Sequence, residues 1–245
     1  MKAPLLALAG VQTHIAQYHI LHGVDLEVPE GELTMLLGRN GAGKTTTLRT
    51  IMGLWRASAG RIAFEGTDIA HQPTPSIAQA GIAYVPENMG VFSDLTVAEN
   101  MLLAARAARG AANLDSTRLE WIFRLFPALK TFWRSRAGVL SGGQKQMLAV
   151  ARAVIEPRKL LLIDEPTKGL APAIVGHMVE AFRELKASGA TILLVEQNFN
   201  FARAVGDSVA VMDDGRVVHR GRMRELADDE ALQTRLIGLS LKAYR

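Results

Sequence analysis

The 245-residue sequence predicts an α/β fold organised on a largely parallel sheet. Three observations carry that expectation. Short apolar runs alternate with helical patterns, in the first ninety residues and again after residue 156. A glycine-rich loop, Gly38–Thr45, stands between an apolar run and a helical pattern. A helix-rich block from about residue 92 to 156 interrupts the alternation, as an inserted subdomain would.

The opening Met1–Gly10 carries one positive charge and a broken apolar stretch, and Val11-Gln12-Thr13-His14 turns polar, so a first strand is expected rather than a leader. Val24–Val28 alternates, Pro29–Glu32 turns, and Leu33–Leu37 is the unbroken apolar run of a strand buried on both faces. A helix is predicted from Lys44 to near Gly53. Arg61–Phe64 reads as a strand leading into a Glu65-Gly66 turn, and Ile82–Val85 as a strand stopped by Pro86. Thr96-Val97-Ala98-Glu99 is a capping box opening a helix to about Arg109. Thr117-Arg118-Leu119-Glu120 repeats the pattern and predicts a second helix that stops at Pro127. Leu160–Ile163 and Thr191–Val195 read as strands around a helix at Ala173–Lys186, and Val209–Val218 as a hairpin turning at Asp213-Asp214-Gly215.

Composition bounds the function. Nearly half the residues are hydrophobic and about a fifth are charged, which fits a globular chain with a substantial core. No cysteine is present, which excludes disulfides and thiolate metal sites. No apolar run approaches the ~18–20 residues that cross a bilayer. The net charge of +4 is uneven: residues 101–160 hold eleven Lys and Arg against three acids, a local +8, so the remainder carries −4. Such a segment could face lipid, nucleic acid or a partner, or form a solvated helical face. The aromatic-rich basic strands that stack bases are not evident, and no nucleic-acid partner is expected.

The chemistry lies in three segments. Gly38, Gly41 and Gly43 let backbone N–H groups turn inward around phosphates, with Asn40 and Thr46 in the same loop and helix start. Lys44 brings a full positive charge to the terminal phosphates, and the Thr45 hydroxyl can ligate Mg²⁺. Asp164 ends a run of four aliphatic residues, where a carboxylate can hold Mg²⁺ beside the phosphates, and Glu165 follows as candidate general base. In Leu140-Ser141-Gly142-Gly143-Gln144, Ser141 and Gln144 form a capping box. Two glycines directly after the cap weaken a helix start, unless something such as a phosphate must approach the backbone.

In order and spacing these three segments resemble the ATP-binding-cassette ATPases, and the resemblance covers essentially the whole chain. It implies a phosphate-loop NTPase with a mostly parallel core sheet, an N-terminal antiparallel β subdomain and an inserted α-helical subdomain. The core would comprise 1–91 and 157–245, and the helical subdomain about 92–156. ATP and Mg²⁺ are the implied ligands. Ser141–Gln144 of one subunit would complete the site on another, and Tyr18 matches the aromatic that stacks on adenine. The implied partners are a second ATPase subunit or a second copy of this chain, two membrane permease subunits and, indirectly, an extracytoplasmic solute-binding protein. The implied location is the cytoplasmic face of the membrane.

Three departures narrow the resemblance. Glu87 replaces the usual Gln near the metal and the membrane partner, Gln197 replaces the usual switch His, and Glu165-Pro166-Thr167-Lys168 lacks the usual Asp. All three are similar to the second ATPase subunit of bacterial branched-chain amino-acid importers and of their relatives for urea and amides. Gln197 can position but cannot take up a proton, and Glu87 adds negative charge near the metal. A non-transport cassette ATPase, for example in iron–sulfur assembly, is the alternative that the size of the chain allows.

Overall fold

The computed structural model describes residues 3–109 and 113–238. Among the described residues ten strands form two sheets. The first is antiparallel, in the order β2 (Tyr18–Val28), β1 (Leu6–Ile15), β4 (Ala57–Phe64), β5 (Thr67–Asp68). The second runs β10 (Arg216–Arg222), β9 (Ser208–Asp213), β3 (Leu33–Gly38), β8 (Thr191–Val195), β7 (Leu160–Asp164), β6 (Ile82–Val85). Every pair in it is parallel except β9–β10.

The unbroken apolar runs are explained by burial on both faces of the second sheet. Leu33, Met35, Leu161, Ile163, Ile192 and Leu194 enter one core, and Leu36, Leu160, Leu162, Leu193 and Val195 enter the other. Successive side chains leave a strand on opposite faces, so a doubly covered strand has no polar side to show. The second core is closed by α1 (Lys44–Ile51), α2 (Thr74–Gln79) and the antiparallel sheet. The first core is covered by α6 (Gly142–Val154), α7 (Pro172–Ala187), α8 (Phe199–Val205) and α9 (Met223–Asp228). There Phe182 meets Phe201 edge to face at 5.5 Å. Helix α10 (Glu230–Ile237) follows α9.

The opening strand begins at Leu6, later than expected, and runs on to Ile15; Met1 and Lys2 lie outside the described residues. At its bulge Gly10 approaches β4 so closely that a Cβ on Gly60 would stand 2.4 Å from the Gly10 carbonyl oxygen. Two of the two-residue hairpins hold both central residues at positive φ, Glu65 and Gly66 at 49° and 77°, Asp214 and Gly215 at 42° and 69°, whereas the β1–β2 turn has only Ala16 there, at 52°. Positive φ at both central residues is what a type I′ turn demands.

The block between β6 and β7 is helical, with α3 (Val97–Arg109), α4 (Ser116–Leu125), α5 (Pro127–Thr131) and α6. The Thr96–Glu99 capping box forms. The second one does not. Asp115 caps α4 by accepting from the Arg118 amide at 2.7 Å, so the helix starts before Thr117. Aspartate is as good a cap as threonine, and it comes first in the chain. Pro127 ends α4 and also opens α5, where its missing N–H costs nothing. The basic segment is only partly a solvated face. Arg118, Arg152 and Arg158 donate to the carbonyls of Val154, Gly90 and Ala78, pinning the block to itself and to the core. Among the described residues no helix is long and apolar enough to cross a membrane.

The cap assignment separates two exposed positions. Asp115→Ala should lower unfolding free energy by about 1 kcal/mol in a urea titration, while Thr117→Ala should fall within about 0.5 kcal/mol of wild type.

Candidate active site

The site forms where β3, β7 and β8 end side by side. β3 ends in the phosphate loop, whose Gly38, Gly41 and Gly43 have φ of 147°, 84° and 102°. A Cβ on Gly38 would meet the Met212 carbonyl oxygen at 2.3 Å, and one on Gly43 would meet Leu21 at 2.9 Å. The loop therefore excludes side chains at these positions and leaves a backbone-lined cradle. The hairpin tip secures it from behind, because the Gly215 amide donates to the Ala42 carbonyl at 3.1 Å. Helix α1 starts from Gly43 with no side-chain cap and no acid in its first turn. Its N-terminus is thus left to attract an anion.

Lys44 is buried and donates to the carbonyls of Gly38 and Arg39 at 2.9 and 3.0 Å. Burial depresses its pKa, and Glu165, Asp164 and Glu196 pull the other way. A cation held only by carbonyls at the rim of an N–H-lined loop is suited to receive phosphate. Thr45 donates from Oγ1 to Asp164 Oδ1 at 3.1 Å, and Tyr84 donates to Asp164 Oδ2 at 3.4 Å. Burial pushes the Asp164 carboxyl up to about 6, with Glu165 and Glu87 adding to the rise and the Thr45 bond opposing it. Burial likewise raises the Tyr84 hydroxyl to about 12.

Glu165 sits in the left-handed region at φ 47° and is 8% exposed. Gln197 donates Nε2 to its Oε1 at 2.5 Å, and the Lys168 ammonium lies 3.5 Å from its Oε2. Gln197 therefore orients the carboxylate and leaves it as the group able to accept a proton. Lys168 also pairs with Glu87 at 2.5 Å. A cavity of roughly 370 Å³ is lined by the loop from Asn40 to Thr46 together with Ile20, Glu87, Glu165 and Lys168. A neighbouring one of roughly 260 Å³ holds Gln197, Glu196, Arg39 and Asn40.

The expected residues are not all brought together. Tyr18 opens β2, is 63% exposed and does not line the cavity, although Ile20 two residues later does. Ser141, Gly142, Gly143 and Gln144 start α6 away from it, and their capping box is complete within the chain. Only one of the two glycines is open. A Cβ on Gly143 would strike Ile174 of α7 at 2.8 Å, so close helix packing accounts for it, whereas Gly142 faces free space.

The model of the ABC transporter family matches residues 21–168, which span the loop, the Ser141 segment and the Asp164-Glu165 strand end. The chain belongs to the ABC transporter family. It is 41% identical over 218 residues to the high-affinity branched-chain amino acid transport ATP-binding protein BraG of Pseudomonas aeruginosa, covering 87% of this chain and 91% of the relative. It is 35% identical over 224 residues to a probable branched-chain amino acid transport ATP-binding protein, LivF, of Archaeoglobus fulgidus, covering 91% and 94%. A solved ATP-binding subunit of an ABC transporter superposes with a TM-score of 0.80 at 32% identity, covering 98% and 97%. The chain is thus an ABC-family ATPase subunit with the cassette fold.

The donor set of this ABC ATPase fits Mg²⁺. Thr45 and Asp164 offer hard oxygens side by side, and Mg²⁺ takes one or two protein ligands plus substrate phosphates. Among the described residues no cluster of three or more His, Asp or Glu could hold a metal without a ligand's help.

Two residues that brace the site escaped the motif reading. Glu196 is 2% exposed and accepts from the Thr167 amide and hydroxyl and from the amides of Gln197 and Asn198, at 2.6–3.0 Å. It ties the loop carrying Glu165 to the loop carrying Gln197. The signal was an acid directly after the buried run Thr191–Val195, the same pattern that exposed Asp164. Tyr84 carried no signal beyond being a polar tip on a buried strand.

Asp164 generates a pH prediction. Its folded-state pKa lies above the usual carboxylate value, so the folded nucleotide-free chain holds the proton longer than the unfolded chain. Stability from this group is lost as pH rises from about 4 to about 6. Asp164→Asn should therefore raise unfolding free energy at pH 8 by up to about 3 kcal/mol, and the gain should vanish below about pH 4, in denaturant titrations without nucleotide.

Proposed function

We propose that this chain is the ATP-hydrolysing motor of a membrane importer for branched-chain amino acids or a related small solute such as urea or an amide. The observation that carries the reading is the 41% identity to BraG over 87% of the chain. The Glu87 and Gln197 substitutions resembling that subgroup accompany it. The relatives also include ATP-binding proteins named for cystine and arginine transport, so the class of small amino-acid-like solutes is broader than the preferred one.

In this reading the backbone amides of the loop and Lys44 hold the β- and γ-phosphates, while Tyr18 stacks on adenine. Thr45 and Asp164 hold Mg²⁺, with Glu87 nearby; the metal when bound neutralises charge developing on the phosphate oxygens. Glu165, oriented by Gln197, takes the proton of the attacking water. Ser141, Gly142, Gly143 and Gln144 of a second cassette, either a sister subunit or another copy, close over the γ-phosphate. The open backbone at Gly142 supports such an approach. The block at 92–156 moves with respect to the core and passes the closure to two permease subunits at the cytoplasmic face, which a solute-binding protein serves from the other side. No nucleic acid takes part.

The test compares ATPase rates of wild type and Glu165→Gln, alone and with detergent-solubilised permease subunits. Mg²⁺-dependent hydrolysis should fall about 10²–10⁴-fold in the variant, with nucleotide binding retained, and wild type should be stimulated by the permeases. Unaltered turnover in Glu165→Gln would remove Glu165 as the base. Permeases that neither bind nor stimulate would remove the transport assignment.

A further inference from the structure

Lys168 lies three residues after Glu165 and has no part in the phosphate, metal or proton chemistry proposed for the site. Its side chain is more than half exposed, so packing does not explain its position. Its ammonium nevertheless reaches across the mouth of the phosphate-loop cavity. It donates to Glu87 Oε1 at 2.5 Å on one wall and lies 3.5 Å from Glu165 Oε2 on the other. The backbone turn beneath it, from the Lys168 amide to the Glu165 carbonyl at 3.2 Å, does not involve the side chain.

The charges around the cavity give that bridge a purpose. Glu87 and Glu165 line the cavity, and Asp164 lies close enough to feel both. Lys44 is the buried cation among them, and it is engaged by loop carbonyls. Three carboxylates outnumber the Lys44 ammonium and the Arg49 guanidinium that also acts on Asp164, and this field opposes a polyanionic nucleotide arriving without its metal. A further cation between Glu87 and Glu165 reduces that repulsion. Both carboxylates in turn favour its charged form and hold the Lys168 pKa above the ordinary lysine value.

We propose that Lys168 is a built-in counter-ion at the nucleotide site, bridging Glu87 and Glu165 so that nucleotide can enter before the divalent cation is in place. The inference rests on the phosphate loop taking Mg-ATP. Lys168 is a positioning residue: it holds two acidic side chains and is not assigned contact with the reacting atoms. Once the metal is bound, its charge does the same screening more strongly, and the contribution of Lys168 shrinks. The role is therefore written in the difference between metal-free and metal-loaded binding, not in either alone.

The experiment titrates the full chain with the non-hydrolysable analogue AMP-PNP by calorimetry, once in EDTA and once in excess Mg²⁺, for wild type, Lys168→Met and Lys168→Arg. Lys168→Met should weaken binding in EDTA by about two- to five-fold, the scale of an exposed ion pair, and change binding in Mg²⁺ less. The ratio of the two dissociation constants should rise accordingly, and Lys168→Arg should keep the wild-type ratio. Equal weakening in both buffers, or no change in either, would overturn the counter-ion role while leaving the nucleotide site intact. A wild-type chain that binds AMP-PNP in neither buffer would overturn the nucleotide-site reading, and the proposal for Lys168 with it.

Discussion

Three carboxylates, those of Asp164, Glu165 and Glu196, are buried together at the ends of two adjacent parallel strands. Burying one ion without compensation costs several kcal/mol, so the local structure is organised around how each is satisfied. Glu196 takes four hydrogen bonds from Thr167, Gln197 and Asn198 and is spent on holding two loops together. Glu165 is held between Gln197 and Lys168. Asp164 is left with two hydroxyls, from Thr45 and Tyr84, and it is the carboxyl pushed up to about 6. The least compensated acid is the one beside Thr45, at the position suited to Mg²⁺.

The sheet makes that concentration of charge tolerable. β3, β7 and β8 bury both faces, so charged groups appear only where the strands stop. Parallel pairing then aligns the stops: Asp164 lies beside Val195 and Ile163 beside Leu194, while Leu36 of the strand leading to the phosphate loop lies beside Val195. Loop glycines, Glu165, Asp164 and the Gln197 amide thus arrive at one edge from segments far apart in the chain. The hairpin tip at Gly215, bonded to both Ala42 and His22, ties the phosphate loop to the antiparallel sheet as well.

Much of this was legible in the sequence because the decisive signals are local. The Gly38–Thr45 loop between an apolar run and a helix, and the Asp after Leu160–Ile163, each announce their place without knowledge of the fold. The two-residue turns at Glu65-Gly66 and Asp214-Gly215 did so too. Capping was less legible, because Asp115 and Thr117 are both competent and only the geometry of the chain chooses between them. Gly143 was read toward a phosphate, but its neighbour is Ile174, a contact between helices that no local pattern encodes. Lys168 is the plainest case: its meaning depends on Glu87, eighty-one residues away.

The acidic strand edge and the phosphate loop are arranged to take nucleotide and a divalent cation together. Thermal unfolding of the wild-type chain at neutral pH tests it most directly, comparing nucleotide with Mg²⁺, nucleotide with EDTA, Mg²⁺ alone and buffer. Nucleotide with Mg²⁺ at about 100 times its Kd should raise the midpoint by roughly 5–10 °C, clearly above either component alone. An equal rise with nucleotide in EDTA, or none with both, would contradict it.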